Sequence, residues 1–171
     1  MSYINKPLGN ISEMAFTIGG INQVALLEKS KLTGITYDAT NKLDITGLTV
    51  ASGATFQDIV FVKGSATLEQ EQVKTATSHY ITQKLKFSVL TEDNATSQAV
   101  LLGREYVALV RKNSGKWVLV GKDNGLACSV YTNNSTADDA SRTYEMTADN
   151  LGDASNVTMT DAAILALINK G

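Results

Sequence analysis

One cysteine and one histidine are the residues best suited to chemistry in this chain. Cys128, in "LACSVY", and His79, in "TATSHYIT", have the types of a nucleophile and its base. No base-orienting pattern surrounds His79, and a histidine in a polar turn before a strand is ordinarily a solvated loop residue. Cys128 sits among small and apolar neighbours, the usual setting of an inert buried thiol. A single histidine also leaves no multi-histidine metal site. The C-terminal third is rich in carboxylates, at Asp123, Asp138, Asp139, Asp149 and Asp153. None has the D-x-[DN]-x-[DN]-G spacing of a calcium loop. "KDNG" is turn chemistry, because Asn and Gly tolerate positive φ. The expectation is no catalytic residue, no cofactor and no metal.

Binding surfaces are equally sparse. "TIGGIN" lacks the G-x-G-x-x-G pattern, and "GKDNG" has no Ser or Thr after its lysine, so no phosphate loop is present. Lys84, Lys86, Arg111 and Lys112 could make a basic strip, but no aromatic residues interleave with them as on a nucleic-acid platform. A solvated sheet face is the simpler reading. Trp117 and Tyr106 could form a sugar-binding platform; within the alternation "KWVLV", a core or interface anchor is the more ordinary role.

The totals describe a globular chain. With 171 residues, 43% hydrophobic and 19% charged, it has the size of one domain and enough apolar surface for a core. A net charge of -2 excludes an overall basic nucleic-acid binder. One cysteine cannot make an internal disulfide, which fits a reducing compartment. No run approaches the ~18 apolar residues of a membrane span, and "MSYINKPLGNISEMAFTIGG" lacks the apolar core of a secretory signal. The expectation is a protein made in a cytoplasm, soluble, with no membrane partner.

Residues 1–20 hold the only proline and the pair Gly19-Gly20, and they read as an extended N-terminal arm with a flexible joint. Residues 21–171 form a single β-rich domain. "INQVALLE" is a first strand; "ITYDATNKLDITGLTV" gives two short strands around Asn41-Lys42, and "FQDIVFV" another. "ATLEQEQV" has no breaker, and its Glu69 and Glu71 share one strand face. "YITQKLKFSVL" alternates Ile81, Leu85, Phe87 and Val89 with Thr82, Lys84, Lys86 and Ser88, as a half-buried antiparallel strand does. A helix runs from the N-cap Asn94 through "ATSQAVLL" to Gly103. "EYVALVRK" and "KWVLVGK" bracket Asn113-Ser114-Gly115, a three-residue hairpin loop with a glycine bulge. "LACSVY" and "RTYEMTA" are further strands on either side of the polar loop "TNNSTADDAS". Thr160 caps a C-terminal helix, "DAAILALIN", whose Ile164, Leu165, Leu167 and Ile168 require cover. Without a βαβ rhythm, the fold expected is mainly β: an antiparallel β-sandwich or barrel with one flanking helix and a short C-terminal helix.

The ordered series "IGGINQVALLEKSKLTGITYD", "FQDIVFVKGSATLEQE", "HYITQKLKFSVL" and "YVALVRKNSGKWVLVGKDNGL" resembles virion structural proteins of bacteriophages, in particular tail-tube-type proteins from phages of Bacteroidetes hosts. The resemblance covers residues 18 to about 130. It implies a β-sandwich or barrel similar to the tube subunits of contractile tails and type VI secretion. Such subunits form rings, usually hexameric, that stack into a tube through which DNA passes without sequence preference. The implied partners are further copies of the chain and other virion proteins, and the implied location is the virion. A mildly acidic chain suits a DNA conduit, since a strongly basic wall would hold the phosphates. The segment bearing Thr67, Glu69, Glu71, Val73 and Lys74 is the candidate subunit interface, because Lys63 and Lys74 flank its glutamates and opposite charges could pair between copies. Two other classes stay open: a capsid decoration or head–tail connector protein, and a monomeric β-sandwich ligand-binding module with Trp117 and Tyr106 exposed.

Overall fold

The computed structural model describes residues 19–90 and 104–169. The expected arm up to residue 18 and the helix expected from Asn94 to Gly103 lie outside these residues. Strand makes up 55% of the structure and helix 7%, so the protein is mainly β. In chain order the elements are β1 (Ile21–Glu28), a 3-10 turn (Lys29–Lys31), β2 (Leu32–Tyr37), β3 (Ile45–Val50), β4 (Phe56–Ile59), β5 (Thr67–Lys74) and β6 (His79–Val89). They continue with β7 (Tyr106–Lys112), β8 (Trp117–Val120), β9 (Ala127–Asn133), β10 (Arg142–Asn150), β11 (Ser155–Val157), α1 (Asp161–Ala166) and β12 (Ile168–Asn169).

Two sheets form the sandwich. One has eight strands in the order β12-β4-β1-β7-β8-β11-β3-β2 and curls into a half-barrel; the other has four in the order β5-β6-β10-β9. Pairing is antiparallel except for two short parallel contacts, β11 with β3 and β12 with β4.

The curl explains why the apolar runs "VALV" and "WVLV" are continuous rather than alternating. Val24, Leu26, Ala108, Val110, Val118 and Val120 point into the space between the sheets, against Leu85, Phe87 and Met146 of the smaller sheet. Their sequence neighbours Ala25, Leu27, Val107, Leu109 and Leu119 point the other way, into a second core enclosed with Ile45, Phe56, Ile164 and Ile168. A strand buried on both faces has no polar side to show. The smaller sheet has only one buried face, so β6 and β10 alternate.

Local chemistry sets the junctions. Lys112 N–H donates to the Lys116 carbonyl at 2.9 Å, and Gly115, at φ 88°, closes the three-residue hairpin between β7 and β8. Asn113 reaches back from that loop, its Nδ2 donating to the Gly19 carbonyl at 2.7 Å, so the start of β1 is fastened to the hairpin.

Two expectations are corrected and two details are added. "FQDIVFV" is strand only through Ile59: the chain then leaves the large sheet, and the Val62 N–H donates to the Ser88 carbonyl of β6 at 2.8 Å. Ile59 and Phe61 still pack on the first core, which is why the apolar run outlasts the strand. The C-terminal helix is capped by Thr160 but ends at Ala166, because Ile168 and Asn169 pair with β4. Strands β11 and β12, three and two residues long, are too short to leave a periodic pattern. Finally, the four C-terminal aliphatics do not share one fate: Ile164 and Ile168 are buried, Leu165 and Leu167 only half-buried. Chemical denaturation should therefore separate them, with Ile164→Ala losing about 2–5 kcal/mol and Leu165→Ala clearly less. Equal losses would mean that α1 does not cover the second core through Ile164.

Candidate functional site

The structure disperses the residues whose types suggested chemistry. His79 begins β6, whereas Cys128 lies across β10 from Leu85, six positions further along that strand. At about 3.3 Å per residue the two are roughly 20 Å apart along the strand direction, so they form no pair. Burial raises the Cys128 thiol pKa, and its Sγ donates weakly to the Val130 carbonyl at 3.5 Å. Such a thiol is a poor nucleophile. The carboxylates hold backbone in place. Asp123 Oδ2 accepts from the Leu151 N–H at 3.0 Å, and Asp149 Oδ1 from the Thr82 hydroxyl at 2.9 Å. Asp139 accepts from the Ser141 hydroxyl at 2.6 Å and from Asn134 Nδ2 at 2.8 Å, bonds that lower its pKa and order the β9–β10 loop. Among the described residues, no three metal-ligating side chains gather.

The candidate binding surfaces also come apart. Lys84 and Lys86 lie in the small sheet and Arg111 and Lys112 in the large one, so they make no single strip. Tyr106 points into the first core and Trp117 into the second, on opposite faces of the large sheet. Both are buried, so these two residues form no exposed platform. Trp117 is an anchor instead: its Nε1–H donates to Asp161 Oδ1 at 3.1 Å, while Arg111 lies over its ring and pairs with Asp161 Oδ2 at 3.3 Å. A shallow cleft lined by Glu28, Lys29, Ser30, Arg104 and Glu105 holds an Arg104–Glu28 ion pair and neither a histidine nor a thiol.

What the structure does assemble is a polar joint between the sheets, centred on Gln83. This residue occupies the inward series of β6 beside Leu85 and Phe87 and is 1% exposed. Its Oε1 accepts from the Gly121 N–H at 2.9 Å and from Asn150 Nδ2 at 2.8 Å. Its Nε2 donates to Gln70 Oε1 and to the Gly152 carbonyl, both at 3.3 Å. Two lone pairs and two N–H groups are thus all used, the condition for burying a carboxamide without penalty. The network extends outward. Asn150 Oδ1 accepts from the Asp123 N–H at 3.0 Å, and Asn124 Nδ2 donates to the Asp149 carbonyl. The turn "GKDNG" that carries the chain from β8 to β9 is therefore held by the smaller sheet. Gly121, at φ 79°, admits no side chain there, since a Cβ would lie 2.9 Å from Leu126 Cγ and 3.0 Å from the Tyr106 carbonyl. The sequence did carry a signal for Gln83: a polar residue in phase with the buried positions of an alternating strand.

That joint positions β5. All eight of its residues pair with β6 in unbroken register, from Thr67 opposite Lys86 to Lys74 opposite His79, and among the described residues its other side is a sheet edge. Leu68 packs on the first core and Gln70 Oε1 accepts from the Ala154 N–H at 2.6 Å, so the even-numbered residues face inward. Thr67, Glu69, Glu71 and Val73 then lie on the outer face, and Lys74 has the opposite parity. Glu69 sits directly across from Lys84, whose Nζ is 3.7 Å from Glu145. The other long edges are less regular: the pairing of β2 slips twice and that of β9 once. Two slips along its length blunt the β2 edge against further pairing, whereas the single slip in β9 leaves its Val130–Asn133 stretch regular.

No family model, curated protein or solved structure matches the chain.

Two substitutions test this arrangement. Gln83→Leu leaves the Gly121 N–H and the Asn150 amide without their acceptor and should cost about 1–3 kcal/mol for each, read by denaturant unfolding. A near-neutral result would remove Gln83 as the joint. Cys128→Ser should leave solubility, melting temperature and any self-association nearly unchanged; a thiol-specific loss would overturn its role as filler.

Proposed function

We propose that the protein is a non-enzymatic structural subunit that assembles with copies of itself into rings, and that the rings stack into a tube of the phage-tail type. The observation that carries this reading is β5, a regular eight-residue strand without bulge, proline or glycine that is a sheet edge among the described residues. An exposed edge of this regularity is a template for another strand, and monomeric proteins ordinarily break or cover it. A second copy satisfies its free N–H and C=O groups without any new side-chain chemistry.

Charge supports the passage of DNA through such a tube. On the outer face of the small sheet, Glu69, Glu71, Glu145 and Asp149 stand against Lys84 and Lys86, four carboxylates to two ammonium groups. A net-acidic, threonine-bearing surface of this kind does not hold phosphates. Under this reading the subunit is made in a host cytoplasm and ends in the virion, with other virion proteins at the ends of the tube.

Negative-stain microscopy and sedimentation at high protein concentration test the proposal. Rings or tubes are the expected result. A strict monomer under these conditions would sink it and favour a ligand-binding module. Glu69→Lys combined with Glu71→Lys should weaken assembly while lowering the melting of the free subunit only slightly, since Glu69 lies across from Lys84 within the subunit. Exposed pairs contribute only about 0–1 kcal/mol each, so the effect must come from repetition around the ring.

A further inference from the structure

Self-assembly through β5 requires a partner edge on the neighbouring copy, and strand direction and charge together select it. The first option is β5 of the neighbour, related by a two-fold axis. In antiparallel pairing, residues directly opposite one another share a face. The outer-face row of β5 is Thr67, Glu69, Glu71 and Val73. Centring two such strands puts Glu69 opposite Glu71, and shifting by one step puts a glutamate opposite its own copy. Registers that avoid this give up at least three of the eight residues. Like charges directly opposite are destabilising, so the charge row of β5 disfavours its pairing with itself.

The second option is β9, the other edge of the same sheet. Its sequence, "ACSVYTN", carries no charge. Beyond its single slip it runs regularly, with Val130 opposite Glu145 and Thr132 opposite Thr143 on the outer face. Val130 is 49% exposed, an apolar side chain left open on an edge. Direction agrees. β5 is antiparallel to β6, β6 to β10 and β10 to β9, so β5 and β9 run oppositely. A neighbour generated by rotation about an axis along the sheet keeps those directions, and its β9 meets β5 antiparallel. The alternation of the sheet then continues across the contact.

We infer that β5 of one copy pairs with β9 of the next, extending the four-stranded sheet from subunit to subunit. This rests on the self-assembling reading above and names its partner surface. The contact is head-to-tail, so an open oligomer of any length retains one unused β5 and one unused β9, at its two ends, until a ring closes. Self-pairing of β5 would stop at a dimer.

Disulfide trapping in a Cys128→Ser background tests the pairing. Cysteines are placed singly on the β5 outer face, at Thr67, Glu69, Glu71 or Val73, each alone and each combined with Val130→Cys. Cα atoms directly across a strand pair fall within disulfide reach, so one register should cross-link. The expected result is a ladder of covalent oligomers running past the dimer for a β5–Val130 combination and no dimer from β5 cysteines alone. A covalent dimer from a single β5 cysteine overturns the inference. So do assemblies visible by microscopy in which no β5–Val130 combination cross-links; in both cases the self-assembly reading survives. Absence of any assembly by sedimentation removes both. The sign of charge at the contact gives a second readout. Val130→Asp should lower assembly at least tenfold while Val130→Lys, facing glutamates, keeps it; because Val130 lies across from Glu145 in its own subunit, assembly is compared at a temperature at which both free variants are fully folded. Equal effects of the two variants would also overturn the pairing.

Discussion

The four hydrogen bonds of the Gln83 carboxamide are the constraint on which the arrangement of the two sheets depends. Apolar contacts between sheets are tolerant of sliding, since hydrophobic burial has no direction. A buried carboxamide is not tolerant: each donor or acceptor that loses its partner costs a full desolvation penalty. By accepting from the Gly121 N–H, β6 fixes where the chain turns after β8. By accepting from Asn150 and donating to Gln70, it ties β10 and β5 to the same point. The meander between β7 and β9 thus carries no reactive site, yet its second turn locates the smaller sheet against the larger.

A division of labour between the sheets follows. The eight-stranded sheet is enclosed on both faces across β1, β7 and β8, with Phe56, Ile164 and Trp117 filling the half-barrel. The Asp161 carboxylate bonds Trp117 and Arg111 and so pins α1 over that core. The smaller sheet has one face in the core and one polar face in solvent. Among the described residues, its edges β5 and β9 are the places where backbone groups remain to be matched, and they differ in charge. That asymmetry distinguishes a sheet that can be continued by another copy from one that can only be doubled.

Much of the fold was legible. β1 begins and ends where its apolar run does, and the β7–β8 hairpin has the loop that Asn113-Ser114-Gly115 dictates, because turn chemistry and strand periodicity are local. The two-faced apolar runs of β7 and β8 were ambiguous as to which side was buried, and the answer is both. The geometry of the candidate segment was legible in part. Two-residue periodicity placed Glu69 and Glu71 together, and the same parity turns the flanking Lys74 to the opposite face.

The sequence by itself determined the β character, the hairpin loop, the Thr160 cap and the shared face of the glutamates, since each depends on neighbours a few residues away. Only the tertiary structure decided that β5 is an edge among the described residues, that Trp117 and Tyr106 back onto different cores, and that His79 and Cys128 never meet. It also decided that Gln83 is the joint. A polar residue in an apolar series announces a buried hydrogen-bonding site, but its partners at Gly121 and Asn150 are 38 and 67 residues away. Such contacts are chosen by how the sheets stack, and no local pattern encodes that choice.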